Sequence, residues 1–138
     1  MCTSCNFLDD SCTLDCSVSD CSGGVDLTCP DGFHCRIECV GAVACLDDDI
    51  TCHGDCSIRC EGTSACRDAA VACDGPRCDI GCTGDNACLD QVDCNADSCV
   101  VICDGVAACD GPGGVCCGEG SCGVDCSSAN NGNCDCPA

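Results

Sequence analysis

The chain has 138 residues, among them 27 Cys, 17 Gly, two Phe and no Trp or Tyr, and carries a formal charge of −20 from 24 acidic and four basic side chains. Cysteine at about one residue in five marks a disulfide scaffold in an oxidising compartment, where bridges replace the burial that scarce large apolar side chains cannot supply. Arg36, Arg59, Arg67 and Arg77 are scattered singly, so nucleic acid and anionic membrane surfaces repel the chain, while cations and positively charged partners remain open to it.

Residues 1–11 open with MCTSCNFLDD and read as an N-terminal cap, with Phe7 and Leu8 as its apolar cover. This stretch has no basic n-region, and no apolar run of secretory-signal length follows, so a secreted form would stand here without its leader. The same absence leaves no candidate for a membrane-spanning helix.

From residue 12 the chain repeats. Its units are 12–34, 35–55, 56–77, 78–98 and 99–121, and a sixth, 122–138, starts alike and then loses the pattern. Each unit begins Cys-x-aliphatic-x-Cys, as in CRIEC and CSIRC, which alternates with period two like a strand with one buried face. Leu14, Ile37, Ile58, Ile80, Val101 and Val124 hold the central inward place. Links such as VGAVA, EGTSA, TGDNA and DGVAA follow, with Gly where a corner requires positive φ. A second short strand then ends in aliphatic-x-Cys, as at Ile50–Cys52, Val71–Cys73 and Val92–Cys94, and a polar turn closes the unit. No segment has a helical apolar face. The reading is an all-β, small, disulfide-stapled parallel β-solenoid, right-handed, with about five coils of 21–23 residues over 12–121 and a partial coil and C-terminal cap over 122–138. Five coils at the strand spacing of about 4.8 Å make a rod about 24 Å long.

The ladder of core cysteines comprises Cys12, Cys16, Cys21, Cys29, Cys35, Cys39, Cys45, Cys52, Cys56, Cys60, Cys66, Cys73, Cys78, Cys82, Cys88, Cys94, Cys99, Cys103, Cys109 and Cys117. Cysteines four apart on one strand are about 13 Å apart, so Cys35 cannot bond Cys39. Bridges across corners are feasible, as for Cys52–Cys56, Cys73–Cys78 and Cys94–Cys99, or Cys39–Cys45 and Cys60–Cys66. So are bridges between stacked coils. The odd total leaves one thiol free or joined to another chain, with the Cys116–Cys117 pair and the terminal cysteines as candidates. Metal storage would favour Cys-x-Cys and Cys-Cys clusters, which occur once each, at Cys134/Cys136 and Cys116/Cys117. His34 and His53 sit at comparable corners and could face each other. Cys2–Cys5 is a lone Cys-x-x-Cys, a weak signal for zinc or redox chemistry.

Asp47, Asp68 and Asp90 each stand two places after the third cysteine of their unit. Stacked at the coil spacing they repel by about 0.9 kcal/mol per pair even in water, a cost that a calcium ion between coils would relieve. Asp48 and Asp49 add to that acid. No β-roll or EF-hand calcium motif is present.

The repeat C-x-φ-x-C-x-G-x-x-A-C resembles the cysteine-rich β-solenoid repeats of secreted and surface proteins in bacteria and protists, which implies the fold and the compartment. Disulfide-stapled solenoids also resemble certain insect antifreeze proteins, whose Thr-x-Thr columns bind ice, but here Thr28 and Thr51 align with Ala72 and Asp93 in the next coils. Pectin-degrading enzymes use a larger parallel β-helix with long loops and aromatic clefts that this chain lacks. The expected function is therefore a secreted, non-enzymatic structural rod serving as a surface, matrix or filament subunit that self-associates end to end, with no cofactor. Calcium or ligand binding is the alternative, and ice binding the third reading.

Overall fold

The computed structural model describes residues 3–6, 8–16, 26–109, 114–117 and 121–125, and these form strands, turns and no helix. The alternation of the sequence becomes burial directly. In Asp55–Glu61 the side chains of Cys56, Ile58 and Cys60 are buried, while Ser57, Arg59 and Glu61 are exposed. Twelve strands result: β1 (Thr3–Asn6), β2 (Ser11–Asp15), β3 (Leu27–Cys29), β4 (His34–Val40), β5 (Ile50–Cys52), β6 (Asp55–Glu61), β7 (Val71–Cys73), β8 (Arg77–Thr83), β9 (Gln91–Cys94), β10 (Ser98–Asp104), β11 (Gly114–Cys117) and β12 (Ser121–Asp125).

The strands assemble into a seven-stranded sheet, β1-β2-β4-β6-β8-β10-β12, and a five-stranded sheet, β11-β9-β7-β5-β3. Every pairing is parallel except that of β1 with β2. The register stacks like on like. In the larger sheet Leu14, Ile37, Ile58, Ile80, Val101 and Val124 form one column; in the smaller, Leu27, Ile50, Val71, Val92 and Val115 form another. Both columns and the flanking cysteines from Cys12 to Cys103 whose side chains are described make one cluster, buried throughout except at Val124, which packs against it half-buried. Each fully buried aliphatic side chain contributes about 1.5–3 kcal/mol, and together they give the rod a narrow, continuous core.

This is a cysteine-rich parallel β-solenoid. It makes about four turns, one fewer than the sequence period suggests.

At the N-terminal end β1 turns back antiparallel on β2, with Cys5 opposite Cys12, and so occupies the edge of the larger sheet. Leu8 does not serve as an apolar cover, since its side chain is 98% exposed. Phe7 and residues 126–138 lie outside the described residues.

The links between the two sheets hold the least expected backbone. Gly41, Gly62, Gly84 and Gly105 have φ of 130°, 130°, 124° and 140°, as the recurring glycine predicts. Beyond each glycine, alternate residues also take left-handed φ: Val43, Cys45 and Asp47; Ser64, Cys66 and Asp68; Asn86 and Cys88; Ala107 and Cys109. In the second link the amides of alternate residues reach opposite coils, while those between them bond within the link, as Ala65 N does to Gly62 O (3.2 Å). Ser64 N donates to Asp85 O one coil on (2.8 Å), and Cys66 N donates to Ala44 O one coil back (2.8 Å). The links therefore form a third hydrogen-bonded ladder, which satisfies backbone groups that an irregular loop would leave without partners. The glycines are also required by their stacking. A Cβ on Gly62, Gly84 or Gly105 would lie 2.4–2.6 Å from the carbonyl oxygen of the glycine one coil below.

Candidate functional site

Cysteines flank every corner, so the corners decide the covalent structure. Bridges join Cys29–Cys35, Cys52–Cys56, Cys73–Cys78 and Cys94–Cys99 on one side of the coil, and Cys39–Cys45, Cys60–Cys66, Cys82–Cys88 and Cys103–Cys109 on the other. Their Cα atoms are 5.7–6.4 Å apart, within the range a disulfide spans without moving the backbone. Both corner schemes left open by the spacing thus occur together, and these eight bridges all join neighbours in sequence rather than stacked coils. Cys12 and Cys16 are disulfide-bonded too. Cys21 lies outside the described residues, as does the side chain of Cys117.

The acidic column is less regular than its spacing suggests. Asp47 and Asp68 share exposed, left-handed positions, where Asp is better tolerated than most residues. Asp90 has no such backbone, because its link is a residue shorter: four positions separate Cys88 from Val92, against five from Cys66 to Val71. Asp68 is also engaged by Arg67, with Nε 3.4 Å from Oδ2. Asp48 does not belong to the outer acid at all, being fully buried. Asp49 has a structural role, its Oδ1 accepting the Ala70 amide of the next coil (3.1 Å), and Asp85 does the same for Val106 (3.0 Å). The sequence reading missed these two cross-coil caps, since their only signal is an Asp 21 residues before the amide it serves. Among the described residues, the sets of three side-chain ligand atoms lying within 4.8 Å of one another are all sulfur, and Asp47, Asp68 and Asp90 do not form such a set.

The two histidines do not face each other. His34 Nδ1 lies 3.1 Å from Asp55 Oδ2, and His53 Nδ1 lies 2.7 Å from Asp74 Oδ1. Each thus contacts an aspartate one coil on, because His34 precedes the first cysteine of its coil whereas His53 follows the last.

The outer face of the larger sheet gathers three of the four arginines. Arg36 bonds Glu38 through Nε (2.6 Å), Arg59 reaches both Glu38 (3.6 Å) and Glu61, and Arg77 pairs with Asp79 (3.1 Å). Positive charge on this face is therefore matched locally. A groove of about 460 Å³ crosses it, lined by His34, Arg36, Asp55, Ser57, Arg77 and Asp79 among others. Further along, Val100 and Ile102 point outward, each 44% exposed. On the outer face of the smaller sheet, Thr28, Thr51, Ala72 and Asp93 stack in that order, so its threonine column ends after two rungs.

Comparison with protein-family models, with curated proteins and with solved structures found no match. The functional reading therefore rests on this geometry.

Proposed function

We propose that the protein is a secreted, non-enzymatic structural element, a disulfide-stapled acidic rod that serves as a surface, matrix or filament subunit. The observation that carries the proposal is the unbroken series of bridged corners from Cys29 to Cys109 around a core of stacked aliphatic side chains. Bridges in that number belong to an oxidising environment. They restrict the unfolded chain at every turn, which suits a part that must resist heat, proteolysis or pulling more than one that must move. The net charge of −20 keeps such rods soluble and apart until a specific contact forms. Assembly runs end to end, and the odd cysteine joins neighbouring rods covalently.

Gel electrophoresis without reductant, beside size-exclusion chromatography over a concentration series, tests this reading. A ladder of multimers that collapses on reduction is the expected result. A strict monomer at high concentration under oxidising conditions would sink it.

A further inference from the structure

Two sets of sulfurs in the core are closer together than corner bridging requires. Cys29, Cys52 and Cys56 form one, and Cys39, Cys60 and Cys66 the other; within each, the three Sγ atoms lie within 4.8 Å of one another. In each set two sulfurs belong to one bridge and the third comes from the preceding coil. The bridge partner of that third cysteine, Cys35 or Cys45, is bonded to it and supplies a fourth thiol one bond away, although its own sulfur lies outside the 4.8 Å set. All eight cysteines are at most 4% exposed. A tetrahedral zinc–thiolate centre, with Zn–S near 2.3 Å, has sulfur–sulfur edges of about 3.8 Å, so after reduction the two sulfurs of each bridge would part by about 1.8 Å while the cross-coil sulfur approaches by up to about 1 Å. Among the described residues, stacked coils elsewhere in the ladder do not bring three sulfurs this close.

We infer that the thiol form of the chain, which precedes bridge formation, holds two zinc ions, one on Cys29, Cys35, Cys52 and Cys56 and one on Cys39, Cys45, Cys60 and Cys66. Four thiols bind one Zn²⁺ and release four protons to solvent, with no change in oxidation state. Soft thiolate donors in a buried site select zinc over calcium or magnesium. The consequence differs from that of the bridges. These disulfides staple each corner to itself, whereas zinc ties one coil to the next, coupling metal binding to stacking in register. Metal and bridge exclude each other at these positions, because a sulfur in a disulfide has no thiolate to offer. The inference concerns the reduced chain and does not depend on the rod proposal.

The test is cobalt titration of the full chain, kept reduced by a phosphine under anaerobic conditions, with zinc displacement and far-UV circular dichroism recorded in parallel. The expected result is a break at two equivalents with the visible absorption of tetrahedral cobalt thiolate, together with β-structure that a chelator removes. Cys52→Ser should lower the break to one equivalent, while Cys94→Ser, which lies in neither set, should leave it at two. An unstructured reduced chain would instead take up about six ions, one per four thiols. Uptake past two equivalents without a break, or identical curves for the two variants, would overturn the inference, and the wild-type curve decides it even if a variant fails to fold.

Discussion

Replacing Gly84 by alanine is the sharpest test of how the coils stack. A Cβ at that position would lie 2.5 Å from the carbonyl oxygen of Gly62 and 2.7 Å from its carbonyl carbon, well inside van der Waals contact, and both atoms are backbone that cannot rotate away. The φ of 124° adds a conformational cost of about 1–3 kcal/mol for a residue with a side chain. Forcing the two links apart adds about 1–3 kcal/mol more, so the total loss should be near 4 kcal/mol. Gly81, three residues earlier on β8, supplies the control. Its added Cβ would meet nothing closer than the Ile58 carbonyl oxygen at 4.0 Å, with an ordinary φ. Gly81→Ala should therefore stabilise the protein by about 0.4–1 kcal/mol through the unfolded chain. Guanidinium unfolding of the fully bridged protein, followed by far-UV circular dichroism, measures both. If Gly84→Ala unfolds within about 1 kcal/mol of Gly81→Ala, close stacking of the link glycines is not what holds the corner.

Val43 is a β-branched residue at φ 57°, half exposed, where the next two coils place Ser64 and Asn86; Val43→Asn should raise stability by about 1 kcal/mol, and an unchanged or lower denaturation midpoint would contradict the strained link. Removing one staple with Cys60→Ala and Cys66→Ala together opens a loop with a sequence separation of six and should cost about 2 kcal/mol; a loss too small to detect by calorimetry would show that the bridge does not restrict the unfolded chain. Because Asp90 is out of step with Asp47 and Asp68, and Asp68 is paired with Arg67, millimolar calcium should leave the melting temperatures of the wild type and Asp68→Asn equally unmoved. A calcium-dependent rise in the wild type that Asp68→Asn abolishes would restore the column as a cation site.

The architecture was legible because its causes are local. Alternation of Cys, Ile and Cys against Arg and Glu over residues 35–39 sets which face of β4 is buried, and the same five-residue pattern recurs at 56–60 and 78–82. Its recurrence every 21 or 22 residues requires coils that stack residue on equivalent residue. The recurring glycine likewise announced positive φ, a property of one residue and its corner.

What the tertiary structure decided depends on neighbours one coil away. Spacing permitted bridges across either corner or between coils, and only the turn geometry brings both corner pairs to bonding distance. Asp47, Asp48 and Asp49 are alike in sequence, yet one is exposed on a left-handed link, one is buried, and one caps an amide 21 residues on. One residue missing from the Cys88–Val92 link is enough to take Asp90 out of step with Asp47 and Asp68. The close approach of Cys29 to Cys52 and Cys56 has the same origin. A period marks which residues are equivalent, but contact at the strand spacing of about 4.8 Å depends on how each link turns, and the turns are set by packing against the coils above and below.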